Sequence, residues 1–79
     1  MAKLPVLSGK EIISALKRAG FEEKRQTGSH VHLVGVHKQT KQKTLVTVPL
    51  HGSKEVVPKT LLSILRQAGL TRDDFEKLL

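Results

Sequence analysis

Two segments of the chain share the same helical spacing and the same stop signal, and this repeated pattern constrains the fold more than any other feature. Residues 9–19 place apolar side chains on one stripe of a helix. Pro58 opens a second such segment, since proline is tolerated in a first helical turn. Each segment ends in Ala-Gly and an apolar residue, where the glycine can take the left-handed conformation that terminates a helix. The stripes consist of Ile12, Leu16 and Ala19 in the first segment and Leu61, Leu62, Ile64, Leu65 and Ala68 in the second.

Capping signals mark where helices begin. Ser8 precedes Glu11 by three residues, which is the spacing of a capping box, so the first helix should begin just after Ser8. Thr71 is placed to cap a short third helix, with two acidic residues near its positive N-terminus. The apolar residues of this last segment are Phe75, Leu78 and Leu79. We expect this tail to pack weakly.

Between the two long helices the residues favour strands. The predicted strands cover residues 22–26, 30–36 and 44–49, with turns at Gly28-Ser29 and at the polar stretch 38–43. Short links between the strands imply an antiparallel meander, and a lone three-stranded sheet needs both long helices on one face to cover it. The sequence therefore predicts a single α+β domain over residues 1–79, in the order α-β-β-β-α with a short C-terminal helix.

The charge of the chain points to a polyanionic partner. Fourteen Lys and Arg outnumber seven Asp and Glu, which gives a formal net charge of +7 and a pI near 10.2. Nucleic acid is the leading candidate, although a soluble surface alone also accounts for such a charge. Phe21 and Phe75 are the only aromatic residues and are expected in the core, so base stacking is disfavoured and contacts should run through phosphates.

The sequence lacks the features expected of a membrane-spanning, disulfide-bonded or thiolate-metal protein. No apolar run approaches the roughly 18 residues that span a bilayer, and the first residues lack the apolar centre of a secretory signal. The chain contains no Cys, which rules out disulfides and thiolate metal sites. We therefore expect a cytoplasmic protein without a membrane partner, a cofactor or a bound metal.

Five short motifs occur together in the order and near the spacing of the HicA toxin family, which the chain resembles over residues 7–76. They are Ser8-Gly9-Lys10-Glu11, Ala19-Gly20-Phe21, Gly28-Ser29-His30, Val48-Pro49-Leu50-His51 and the segment 60–70. Two features depart from the usual family pattern. Lys59 occupies a position that is Gly in many members, and the polar hairpin 38–43 is longer than usual.

The resemblance implies a fold, an activity and a partner. The fold would be that of a double-stranded-RNA-binding domain, and the activity a metal-independent cleavage of mRNA that blocks translation. The partner would be a HicB-like antitoxin protein encoded in the same operon. In the family the histidine of the Gly-Ser-His motif is catalytic, and this role carries over to His30.

The chemistry of RNA cleavage also favours His30. The 2′-OH of the substrate can act as nucleophile, so the enzyme needs a base for its proton and cations for the phosphate charge. His30 opens a strand directly after the Gly28-Ser29 turn. Because side chains alternate along a strand, His30 faces away from the helices if Val31 faces them. A strand histidine without a chemical role is the alternative interpretation.

The other histidines are weaker candidates. His32 shares the predicted face of His30 and could serve as an acid or a phosphate contact, but a solvated strand position explains it equally well. His51 follows the third strand, whose end could return toward the site. We expect His37 to be a solvated loop residue. A zinc site built on His30 and His32 is disfavoured because no further ligand is evident.

Cationic residues suitable for RNA are plentiful. Lys54 and Lys59 rank first because they lie near the start of the second long helix, and Lys24 and Arg25 follow. Ser29, beside the candidate base, is grouped with these RNA contacts. Solvated surface charge is the alternative for each cation taken alone.

Three functions remain open at this stage. The first is an endoribonuclease toxin that uses His30. The second is a non-catalytic RNA-binding module of the same fold, and the third and weakest is a protein-interaction adaptor. A phosphate-binding module has no need of a Gly-Ser-His turn, which favours the first.

Overall fold

The computed structural model describes residues 6–50 and 54–79, and the predicted α+β fold with α-β-β-β-α order is confirmed. The elements are β1 (Leu7–Ser8), α1 (Gly9–Arg18), β2 (Glu22–Thr27), β3 (His30–Val36), β4 (Lys43–Pro49), β5 (Glu55–Val56), α2 (Pro58–Ala68) and α3 (Arg72–Glu76). None of the helices within these residues has the length and apolar character needed to cross a membrane.

The main sheet is an antiparallel meander in the order β2-β3-β4, so β3 is central. A second ladder pairs β1 with β5, with Leu7 opposite Val56. The sequence does not predict this ladder, because strands of two residues are too short to show an alternating pattern. β1 directly precedes α1 and β5 precedes α2, so this ladder brings the N-termini of both long helices close together.

The core lies between the sheet and the helices. Alternate residues of β3 and β4 are fully buried, as a half-covered sheet requires. The core-facing sheet residues are Val31, Leu33, Val46 and Val48, and the helices contribute Ile12, Ile13, Ala15, Leu16, Leu61, Ile64, Leu65, Ala68 and Phe75. Both long helices therefore cover one face of the sheet, as predicted.

The ends of the long helices follow the predicted stop signals. Gly20 has φ +96°, and the amide of Phe21 donates to the carbonyl of Leu16 over 3.0 Å. Gly69 has φ +74° and ends α2 in the same way. A left-handed glycine and a hydrogen bond from the amide of the next residue to a carbonyl five positions earlier are the two features of the Schellman motif. Ala19 differs from the prediction, because it lies on the exposed side at the end of α1 rather than in the buried stripe.

The expectation that the C-terminal tail packs weakly is wrong. Phe75, on α3, is fully buried in the core, and Leu78 packs against the core from its edge. Polar contacts also fasten this tail, since Arg18 donates to the carbonyl of Leu78 over 2.6 Å and Lys38 pairs with Asp74. A small domain has few places to bury a large aromatic ring, so α3 closes the core instead of lying on its surface.

Asp74 is the polar anchor of α3. Its carboxylate accepts a hydrogen bond from Lys38, and it completes a capping box in which Thr71 and Asp74 each accept from the other's backbone amide over 3.0 Å. These bonds favour the charged form, with that from Lys38 contributing most, and they lower the pKa of Asp74 from 3.8 to about 2.

Candidate RNA-cleavage site

A tight glycine turn positions His30. Gly28 has φ +57°, a left-handed conformation that lets β2 reverse into β3 within two residues, and Gln26 donates to the carbonyl of Gly28 over 3.1 Å. His30 is the first residue of β3, and the amide of Leu50 donates to the carbonyl of Ser29 over 2.5 Å. Hydrogen bonds on both sides therefore hold the backbone that carries the imidazole.

His30 lies on the face of the sheet that the helices leave uncovered. Its neighbour Val31 is fully buried, so alternation turns His30 outward, and the His30 side chain is exposed. Its cross-strand neighbours are Thr27 on β2 and Pro49 on β4. The predicted orientation of His30 is confirmed, and the imidazole is accessible to a large ligand such as RNA.

His32 shares this face, as predicted, and its surroundings differ from the solvated position that was one of its two interpretations. It is half-buried, and its Nδ1 lies 3.1 Å from the Oγ1 of Thr47, the residue directly opposite it on β4. Thr47 is in turn held by α2, because its amide donates to the side-chain oxygen of Gln67 over 3.2 Å. His32 is therefore an oriented imidazole whose Nε2 remains for other contacts.

A bulge in β2 places one cationic residue, Arg25, beside His32. The register shifts between Glu23 and Arg25, so Lys24 is the extra residue and Arg25 lies directly opposite His32. Arg25 and His32 therefore share the open face. Lys24 is exposed and pairs with Glu22 over 3.3 Å, a surface ion pair of the kind that contributes little and opens readily.

The second group of predicted cations borders the same end of the sheet. Lys54 lines a groove of about 230 Å³ together with Pro49 and Thr60, and Pro49 is the residue opposite His30. Lys59 is exposed in the first turn of α2, whose N-cap residue Val57 makes no side-chain cap bond. The start of α2 and the groove thus lie next to the His30 end of the sheet.

The structure separates His37 from this site and contradicts its expected role as a solvated loop residue. His37 is half-buried at the opposite end of β3, against the C-terminal end of α2. Its Nδ1 accepts from the amides of Gln39 and Thr40 over 3.2 and 3.1 Å, which leaves Nε2 as the donor toward the carbonyl of Arg66. The ring therefore links the β3–β4 hairpin to α2 through hydrogen bonds. His51, the remaining secondary candidate, lies outside the described residues.

Two residues of the site escaped the sequence analysis. Thr47 and Gln67 orient His32, yet they lie 15 and 35 positions after it in the chain. Thr47 could have been found only by assuming the β3–β4 register, and Gln67 only from the packing of α2 on the edge of β4. Neither position belongs to a local motif.

Comparison with known proteins identifies a family for most of the chain. The family model described as the HicA toxin of bacterial toxin–antitoxin systems matches residues 9–70, which include both long helices, the three-stranded sheet and His30. No curated protein matches the sequence.

Proposed function

The chain belongs to the HicA toxin family of bacterial toxin–antitoxin systems, and on that basis we propose that it is an endoribonuclease that cleaves mRNA and blocks translation. The observation that carries this proposal is the exposed imidazole of His30 at the start of the central strand. The imidazole lies on an open face, and Arg25 lies on the same face opposite His32. A general base and cations on one accessible surface are the parts that RNA cleavage by the 2′-OH requires.

The proposed reaction begins at the ribose beside the scissile phosphate. Neutral His30 accepts the proton of the 2′-OH, and the 2′-oxygen attacks phosphorus. The bond from phosphorus to the 5′-oxygen breaks, which leaves a 2′,3′-cyclic phosphate and a 5′-hydroxyl. The nucleophile belongs to the substrate, so the proposed chemistry calls for no metal and no cofactor.

The RNA contacts are proposed to surround His30 on two sides. On β2 the proposed contacts are Arg25, opposite His32, and Lys24 at the bulge before it; on the other side they are Lys54, in the groove with Pro49, and Lys59, in the first turn of α2. Ser29 lies next to the base in the turn. The net charge of +7 on 79 residues supports phosphate binding by this surface.

The partner is proposed to be a HicB-like antitoxin that covers the His30 face. Such a partner would block RNA and the base together, and an acidic one would also neutralise the cationic residues. Charge complementarity of this kind speeds association and makes it sensitive to salt.

The test compares purified wild-type protein with His30→Ala on a transcript that the wild type cuts. Loss of a general base typically costs about 10²- to 10⁴-fold in rate, so His30→Ala should lose cleavage and growth arrest while keeping its thermal stability. Thr27→Ala is the matched control, because Thr27 lies directly opposite His30 and is also exposed.

The products and the metal requirement give a second readout. Fragments should end in 2′,3′-cyclic phosphate and 5′-hydroxyl, and EDTA should leave the rate unchanged. A folded His30→Ala protein that cleaves at the wild-type rate, 5′-phosphate ends, or activity restored by Mg²⁺ after chelation would each overturn the proposal. RNA binding without any cleavage by the wild type would instead favour a non-catalytic RNA-binding module.

A further inference from the structure

We propose that His32 is the general acid of the reaction and that Thr47 is its positioning residue. This inference rests on the proposed function, in which His30 is the base. It assigns the second proton transfer, delivery of a proton to the departing 5′-oxygen, to a residue of this chain. Without that proton, the leaving group would depart as an unstable alkoxide.

The spacing of the two histidines suits this division of labour. A strand rises about 3.3 Å per residue, so the Cα atoms of His30 and His32 lie about 7 Å apart on one face. In an in-line displacement the attacking and leaving oxygens lie on opposite sides of phosphorus, and each must be within about 2.6–3.2 Å of its proton carrier. Two imidazoles at neighbouring positions of one strand face can therefore flank a single phosphate.

The contact with Thr47 fixes the proton on the useful nitrogen. A charged imidazole donates from both nitrogens, so Nδ1 donates to Thr47 Oγ1 over 3.1 Å and Nε2 carries the proton for the substrate. After Nε2 has delivered its proton, the neutral ring keeps its proton on Nδ1, which still donates to Thr47 Oγ1. The same hydrogen bond thus persists through the step, and the ring need not reorient.

Contacts from α2 restrain Thr47. Gln67 accepts from the Thr47 amide over 3.2 Å and donates to Ser63 Oγ over 3.3 Å. These bonds tie the exposed edge of β4 to the helix. The position of His32 is therefore set by contacts that include β3, β4 and α2, whereas His30 lies at the start of β3, directly after a turn.

The step balances without another reactant. His30 gains the proton of the 2′-OH, His32 gives its Nε2 proton to the 5′-oxygen, and the two exchange protons with water before the next turnover. Arg25, opposite His32, is available for the phosphate oxygens between the two rings. The proposed step uses His30 in its neutral form and His32 in its charged form, so each histidine has a distinct task.

The experiment compares two RNA oligonucleotides that differ in one leaving atom. The parent has the normal 5′-oxygen at the cleavage site of the wild type, and the second has a bridging 5′-sulfur there. A thiolate leaves without being protonated, so it removes the need for an acid. His32→Ala should be slower than wild type by about 10²-fold or more on the parent and within a few-fold of wild type on the sulfur substrate.

Other variants separate the roles. His30→Ala should be slow on both substrates, because the base is needed in each. Thr47→Val keeps the side-chain shape but removes the acceptor, and should show a smaller loss that the sulfur substrate also restores. Thr27→Ala, opposite His30 and outside the proposed machinery, should match wild type on both.

The outcomes distinguish this inference from the proposed function. A His32→Ala protein that cleaves the parent at the wild-type rate, or that loses the same factor on both substrates, would overturn the acid assignment and leave the base intact. A wild-type protein that cleaves neither substrate, or a His30→Ala protein that cleaves both normally, would overturn the proposed function and this inference with it.

Discussion

Truncation of Phe75 tests whether α3 closes the core. The ring is fully buried, so Phe75→Ala should leave a cavity and lower the free energy of unfolding by about 3–5 kcal/mol. A domain of 79 residues has a total stability of roughly 4–12 kcal/mol, so this loss would be a large fraction of it. Leu79→Ala is the control, because Leu79 is 52% exposed and its truncation should cost less than about 0.5 kcal/mol.

Urea denaturation measures the difference. With a slope of about 1–3 kcal/mol per molar, the midpoint of Phe75→Ala should fall by at least about 1 M, while that of Leu79→Ala should hardly move. The variants are best compared in a His30→Ala background, so that the proposed nuclease activity does not limit expression. Equal midpoints for the two truncations would refute the assignment of α3 to the core.

Three further predictions address electrostatics, packing and partner binding. Because the pKa of Asp74 is lowered to about 2, its carboxylate stabilises the fold above about pH 4, and that contribution is lost as the pH falls toward 2. Asp74→Asn should therefore reduce stability at pH 7 and flatten its decline in acid. Thermal melts at several pH values that are the same for Asp74→Asn and wild type would show that the charge of Asp74 does not stabilise the fold. Gly35→Ala should destabilise the fold by about 1–3 kcal/mol, since its Cβ would lie 2.6 Å from the ring of Phe21; calorimetry showing an unchanged melting temperature would contradict this packing. A HicB-like partner should displace RNA from the His30→Ala protein, and both complexes should weaken with salt; undiminished RNA binding in the saturated complex would place the antitoxin elsewhere.

The candidate base is predictable from the sequence because its signals are local. The glycine turn before His30 and the alternation with Val31 act within a few residues, and both are present in the structure. The role of His32 was left open because its environment depends on the partner strand. The same pattern of residues is compatible with a solvated ring and with one bonded to Thr47, and only the register decides between them.

His37 and α3 show the same limit. The polar residues around His37 indicated a solvated loop, but the hairpin folds against the end of α2, where the ring contacts the carbonyl of Arg66. Phe75 itself was expected in the core, but the tail that carries it was expected to pack weakly, whereas the structure buries Phe75 and packs Leu78 against the core. In both cases distant segments supply the contacts that decide the outcome.

The sequence by itself determined the elements, their order and the exposed face of His30, because capping, left-handed glycines and apolar spacing act within one turn or one strand. The tertiary structure alone decided the β1–β5 ladder, the close packing of the C-terminal tail and the hydrogen bond that orients His32. These features join segments far apart in the chain. Their formation depends on register and on which helix reaches which strand, and those relations are set only when the core packs.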